Sequence, residues 1–286
     1  MNDVANLLAR AECLIERIEG LLPAPAAAPD WTSANAFFWR RRHGSGVLLP
    51  VTRPHSIRLA DLCDVEQQKA RIDQNTRQFL AGRRANNVLL TGARGTGKSS
   101  LVKALLNEYA DRGLRLIEVD KEDLKDLPEI VELVAARPER FILFCDDLSF
   151  EETEPAYKAL KSVLDGSIAA VPDNVLIYAT SNRRHLMPEY HDENLLARHV
   201  DGEVHPGEAV EEKISLSERF GLWVSFYPFS QDEYLTIVSH WLKEFGLDAA
   251  AIADARQEAL QWALMRGSRS GRVAWQFARD HAGRCE

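Results

Sequence analysis

The chain has 286 residues, enough for one large α/β core and a smaller attached unit. Apolar content of 45% and charged content of 27% are those of an ordinary globular protein, and no apolar run approaches the ~20 residues that a membrane helix requires. A net charge of −8 argues against a general nucleic-acid coat, but nine acids against Arg198 and Lys213 between Leu186 and Glu218 carry −7 of it, so the rest is nearly neutral.

The N-terminus lacks a basic, apolar export signal, and Cys13, Cys63, Cys145 and Cys285 form no C-x-x-C pair. A cytoplasmic protein with reduced thiols is therefore expected. Val4, Leu8, Ala11, Ile15, Ile18 and Leu22 recur at the alternating spacing of a coiled-coil seam. Such a helix either docks on its own core or meets a partner helix. Pro23 to Pro29 reads as a stiff linker. From Trp31 to His55, aromatics (Trp31, Phe37, Phe38, Trp39) mix with bases (Arg40, Arg41, Arg42, Arg53). Two readings stay open for this stretch: aromatics packed on the main domain, or a surface that stacks bases and holds phosphates.

From Ile57 the pattern alternates helix and strand. Residues 62–80 read as a helix and Asn86 to Thr91 as a buried strand. Then comes Gly92-Ala93-Arg94-Gly95-Thr96-Gly97-Lys98-Ser99-Ser100, followed by the apolar start of a helix. This is a phosphate-binding loop in its required context between strand and helix. The glycines let backbone N–H groups turn inward onto phosphate oxygens, and the helix N-terminus adds its positive dipole end. Lys98 is expected to reach the β- and γ-phosphates of ATP, and the Ser99 hydroxyl to be a ligand for Mg²⁺.

Residues 114–119, 141–145, 175–179 and 223–227 read as further strands, with helices at 128–136 and 154–164. Such alternation predicts a parallel sheet with helices on both faces. The strand Phe141 to Cys145 ends in Asp146-Asp147. Asp146 is expected to hold Mg²⁺ and Asp147 to orient or deprotonate the attacking water. The next strand ends in Thr180-Ser181-Asn182, which places Asn182 beside the phosphate loop. His185, His191, His199 and His205 in or beside the acidic stretch fit no standard zinc spacing, and read as a solvated insertion or a metal or client site. Ser230 to Glu233 is a capping box that opens a helix to about Phe245, and two more helices follow, so the C-terminus is a small helical unit.

The order of these motifs resembles the AAA+ ATPases. The matching stretches are Ala85 to Leu90, Gly92 to Ser100, Phe141 to Phe150, Tyr178 to Leu186, Glu212 to Ser225 and Gly267 to Arg272. More closely, the chain resembles an uncharacterised bacterial AAA+ family known only as a domain of unknown function. The paired acids are also similar to the initiator and helicase-loader branch. The resemblance implies a core over residues 57–228, a helical lid over 229–286 and an N-terminal extension over 1–56. It implies Asn182 as the residue that senses the γ-phosphate. It implies Arg219 as an arginine finger reaching a neighbouring subunit, and Arg272 as the lid's sensor, with Arg269 competing. It further implies a homo-oligomer that acts on an unidentified protein or nucleic-acid client. Most AAA+ proteins carry Glu where this chain has Asp147, which leaves the rate of hydrolysis open. A slow nucleotide switch, a DNA-associated loader and a small-molecule kinase are the alternatives. The loader would need Arg40 to Arg42 on an open surface, and the kinase would need neither Arg219 nor the Thr-Ser-Asn strand end.

Overall fold

A computed structural model describes residue 10 and residues 29–42, 45–150, 155–165, 172–182, 198–200, 203–205 and 216–285. The expectations for the N-terminal seam, for residues 23–28, for the four histidine side chains and for most of the acidic stretch lie outside these residues. Within the acidic stretch, β7 (Arg198–Val200) and β8 (Glu203–His205) pair as an antiparallel ribbon.

The main sheet has seven strands. They are β1 (Ala36–Arg42), β2 (Ser45–Pro50), β3 (Val88–Gly92), β4 (Leu114–Glu118), β5 (Arg140–Cys145), β6 (Val175–Ser181) and β9 (Leu222–Phe226), in the spatial order β2-β1-β4-β5-β6-β3-β9. All neighbours run parallel except β1 and β2. Central strands such as β3, β5 and β6 are buried nearly end to end. That is why they read as unbroken apolar runs rather than alternating ones. On one face lie α1 (Glu66–Leu80) and α2 (Lys98–Tyr109), and on the other α3 (Leu127–Ala135) and α4 (Pro155–Asp165).

Sequence periodicity placed no strand before Ile57, yet β1 and β2 form a hairpin that extends the sheet beside β4. Phe37 and Trp39 are each 1% exposed. Trp31 packs edge-on to Phe37 and Phe141, at 4.9 and 5.0 Å between ring centroids. The aromatics therefore pack on the core. Arg40 pairs with Asp120 at 2.6 Å, and Arg41 faces Asp126 at 3.4 Å. The Trp39 indole N–H donates to the same Asp126 at 3.1 Å.

Beyond β9 the chain forms α5 (Gln231–Glu244), α6 (Ala249–Asp254), α7 (Arg256–Arg266) and α8 (Gly271–Cys285). The capping box forms as the sequence implies: Ser230 Oγ accepts from the Glu233 N–H, and Glu233 Oε2 accepts from the Ser230 N–H. Helices α5 and α8 pack on each other, and their apolar faces join the core beneath α1 and α2. The whole is a P-loop NTPase fold, a mostly parallel sheet with helices on both faces, with the phosphate-loop strand between β6 and β9 and a helical unit at the C-terminus.

Candidate functional site

In a parallel sheet the strands present their C-terminal ends along one edge, where ligands bind. Here β3, β5 and β6 bring the phosphate loop, Asp146-Asp147 and Thr180-Ser181-Asn182 to one place. The loop needs its glycines. Gly92, at φ +131°, lies so close to β9 that a Cβ would sit 1.9 Å from the Phe226 carbonyl oxygen. Gly97, at φ +97°, turns the chain into α2 and caps it.

Lys98, the first residue of α2, is only 6% exposed. Its Nζ donates to the Gly92 and Ala93 carbonyls, both at 2.7 Å, and to Asn182 Oδ1 at 3.0 Å. Burial lowers its pKa to about 8, against the opposing pull of Asp146 and Asp147. The Asn182 amide donates in turn to Asp147 Oδ1. Arg94 Nη2 lies 3.4 Å from Asp147 Oδ2, at the exposed mouth of the site. Ser99 Oγ and Thr180 Oγ1 both donate to Asp146 Oδ1, each at 2.5 Å.

Asp147 has φ +53°, a left-handed conformation that few non-glycine residues adopt. Three hydrogen bonds hold it there. The Asp147 N–H donates to Thr180 Oγ1 at 2.8 Å, and the Leu148 N–H donates to the Thr180 carbonyl at 2.7 Å. Ser181 Oγ donates to the Leu148 carbonyl at 2.7 Å. Thr180 thus touches both acids at once. The turn leaves the Asp147 carboxylate between the Asn182 amide and the Arg94 guanidinium.

The donors available to a cation are hard oxygens, Ser99 Oγ and Asp146 Oδ1, at the foot of the phosphate cradle. Magnesium is held by one or two carboxylates together with substrate phosphates, so the residues fit it without a larger cage. Among the described residues no group of three or more His, Cys, Asp or Glu is poised for a metal. Cys145 is fully buried on β5, and burial pushes its thiol up to about 12, so it takes no part.

These groups line a cleft of about 650 Å³ between the sheet edge and the C-terminal helices. That is the size of a small-molecule site. The C-terminal helical unit touches the phosphate loop directly: the Gly271 N–H donates to the Gly95 carbonyl at 2.8 Å. Arg272 lines the cleft, whereas Arg269 is exposed and does not. Arg219 does not line it either; its Nε donates to Asp165 Oδ1 at the end of α4. Sequence reasoning missed the other end of the cleft. There the strap of residues 55–65 lines the cleft, its Leu62 beside Gly97, together with Phe229, Ile237, Trp241 and Trp275 of the C-terminal helical unit. Nothing local marks the strap's apolar residues, since Ile57, Leu62, Cys63 and Val65 read as the ordinary lead-in of a helix.

No helix among the described residues is long and apolar enough to cross a membrane. A comparison with curated proteins finds no match. Among solved structures, the chain is similar to the Thermotoga maritima RuvB Holliday junction branch migration motor at 14% identity and a TM-score of 0.49, over 78% of this chain and 63% of that one. It is similar to a chain of the HORMA:CdnC:Trip13 complex of E. coli MS115-1 at 12% identity and 0.46, over 78% and 90%. It is also similar to a DNA replication initiation factor at 18% and 0.45, over 74% and 65%. These are distant likenesses of fold, and the chain spans less than two thirds of the length of that RuvB. Residues 32–285, nearly all of the chain, match the family described as "Protein of unknown function (DUF815)", and the chain belongs to that family.

Proposed function

We propose that the protein binds MgATP in this cleft and hydrolyses it slowly, as a subunit of an oligomer that acts on a macromolecular client. The observation that supports this reading best is the single hydrogen-bonded chain from Lys98 through Asn182 to Asp147, beside the Ser99–Asp146 pair. The backbone from Gly92 to Ser100 cradles the phosphates and Lys98 pairs with their charge. Ser99 and Asp146 hold Mg²⁺, which supplies charge neutralisation at the phosphate oxygens when bound. Asp147 accepts the proton of the attacking water, and Asn182 fixes that carboxylate. Arg272 approaches from the lid. Arg219, turned away from its own cleft, serves a neighbour's γ-phosphate. Asp147 is one methylene shorter than the usual Glu, and a misplacement of about 1 Å can cost ~100-fold, hence the slow turnover.

The kinase reading has no use for the Asn182 bridge between Lys98 and Asp147, and the loader reading is disfavoured by Arg40 and Arg41 each facing an acid. Lys98→Ala tests the central claim. It should abolish binding of a fluorescent ATP analogue with Mg²⁺ while the circular dichroism spectrum is unchanged. Unchanged affinity in the folded variant would remove ATP binding from this cleft.

A further inference from the structure

The strap of residues 55–65 lines the cleft; Lys69 of α1 holds its C-terminal part through the Leu59 and Leu62 carbonyls, and one side chain of α2 holds its N-terminal part. Asn107, on the third turn of α2, donates through its single Nδ2 to two carbonyls: those of His55 and Ile57, both at 2.7 Å. An amide nitrogen has two hydrogens, and both are spent on backbone oxygens only two residues apart. Residues 55–58 lie in neither helix nor strand, and the single 3-10 turn of the strap, Leu59–Asp61, begins only beyond them. His55, Ile57, Leu62 and Cys63 of the strap line the cleft. A further tie runs to the C-terminal helical unit: Arg58 Nη2 donates to Asp61 Oδ1 at 2.9 Å and to Glu244 Oε2 at 2.7 Å.

The same helix carries Lys98 and Ser99 at its N-terminus. At 1.5 Å per residue, Asn107 stands roughly 13 Å further along its axis. Helix α2 is thus a rigid ruler with the phosphate cradle at one mark and the clamp on the strap at another. The same cleft is lined by Phe229, Ile237, Trp241 and Trp275 of the C-terminal helices, whose apolar and aromatic side chains suit the face of a nucleobase and offer nothing to a phosphate.

Resting on the nucleotide-binding reading above, we infer that Asn107 is a positioning residue for nucleobase selectivity: by clamping His55 and Ile57 to the phosphate-loop helix, it sets the wall against which the base is read. It touches no part of the nucleotide itself. Losing the clamp lets the wall shift, so the base end of the ligand loses contact while the phosphate end does not. The backbone polar groups of the strap then meet any base equally poorly, and selectivity falls with affinity.

The experiment is calorimetric titration of the full-length protein with MgATP, MgGTP and magnesium tripolyphosphate, for wild type, Asn107→Asp and Asn107→Gln. Asn107→Asp replaces the two donors with a carboxylate facing two carbonyls. It should weaken MgATP on the order of tenfold, the equivalent of one or two net hydrogen bonds, and narrow the ratio of MgATP to MgGTP affinity. Tripolyphosphate should bind as in wild type. Asn107→Gln keeps the amide and should recover part of both losses. The inference is overturned if MgATP and tripolyphosphate weaken together, because Asn107 is then merely holding α2. It is equally overturned if the base ratio does not move, or if wild type shows no base preference. Should Asn107→Asp fail to fold, Asn107→Gln and Asn107→Ser decide on the same two ratios. Failure of the nucleotide-binding reading looks different: wild type then binds none of the three, or Lys98→Ala binds them all unchanged.

Discussion

Thr180→Val removes one hydroxyl from the place where the two acids meet. The side chain is 1% exposed, so the added methyl takes the volume of the hydroxyl and no water replaces it. Two hydrogen bonds are lost: the one Thr180 Oγ1 donates to Asp146 Oδ1 at 2.5 Å, and the one it accepts from the Asp147 N–H at 2.8 Å. The first is to a carboxylate, worth roughly 1.5–3 kcal/mol, and the second leaves an N–H without its partner at roughly 1–3 kcal/mol. Two effects bring the total to the lower half of that range. The Leu148 N–H still holds the Thr180 carbonyl at 2.7 Å, and Asp147 is released from a left-handed conformation that costs about 1–3 kcal/mol. The expected loss of stability is therefore about 2.5–4 kcal/mol, measured by urea denaturation. The effect on turnover should be larger in proportion, because relaxation of φ at Asp147 carries its carboxylate by about 1 Å or more, worth ~100-fold. Binding of a fluorescent ATP analogue should change less than turnover, since Thr180 hydrogen-bonds to neither Lys98 nor the loop backbone and meets Ser99 only through Asp146. A variant that is destabilised but turns over at the wild-type rate would refute the claim that this hydroxyl sets the position of Asp147. A variant that loses nucleotide binding would refute the separation of loop from acid.

Two further outcomes are expected. If Arg219 serves a neighbour, a mixture of Lys98→Ala and Arg219→Ala should hydrolyse ATP faster than either variant alone at equal total protein, because some interfaces pair an intact loop with an intact finger; mixed oligomers that stay at the parental rate would refute action in trans. Lys98 has a folded pKa of about 8, below its ordinary 10.5, so the unfolded chain binds more protons between those values and this group's contribution to stability should rise as pH increases from about 8 to 10.5. Denaturation of wild type and Lys98→Met at pH values spanning that window should show wild type gaining on the variant; a constant difference would mean that the burial of Lys98 does not lower its pKa.

What the sequence determined is what local chemistry encodes. Gly92, Gly95 and Gly97 permit backbone turns that no other residue adopts as freely, so the phosphate loop was legible as a string of letters. Strands buried on both faces announce themselves as apolar runs, and the Ser230–Glu233 cap satisfies itself within four residues. The residues expected at the phosphate end stand at the ends of elements whose type and order were readable. Only the tertiary structure decided how those ends meet. The order β6-β3-β9 puts Asn182 within reach of Lys98 across 84 residues of chain, and it is the Thr180 hydroxyl, not the acid pair alone, that holds Asp147 at positive φ. The hairpin of β1 and β2 was hidden because its aromatics and arginines follow no clean alternation; its partners Asp120 and Asp126 lie some 80 to 87 residues away. The same holds for the clamp of Asn107 on the strap and for the pairing of Arg219 with Asp165. A hydrogen bond between residues distant in sequence leaves no periodicity behind, because periodicity records only which face of an element is dry.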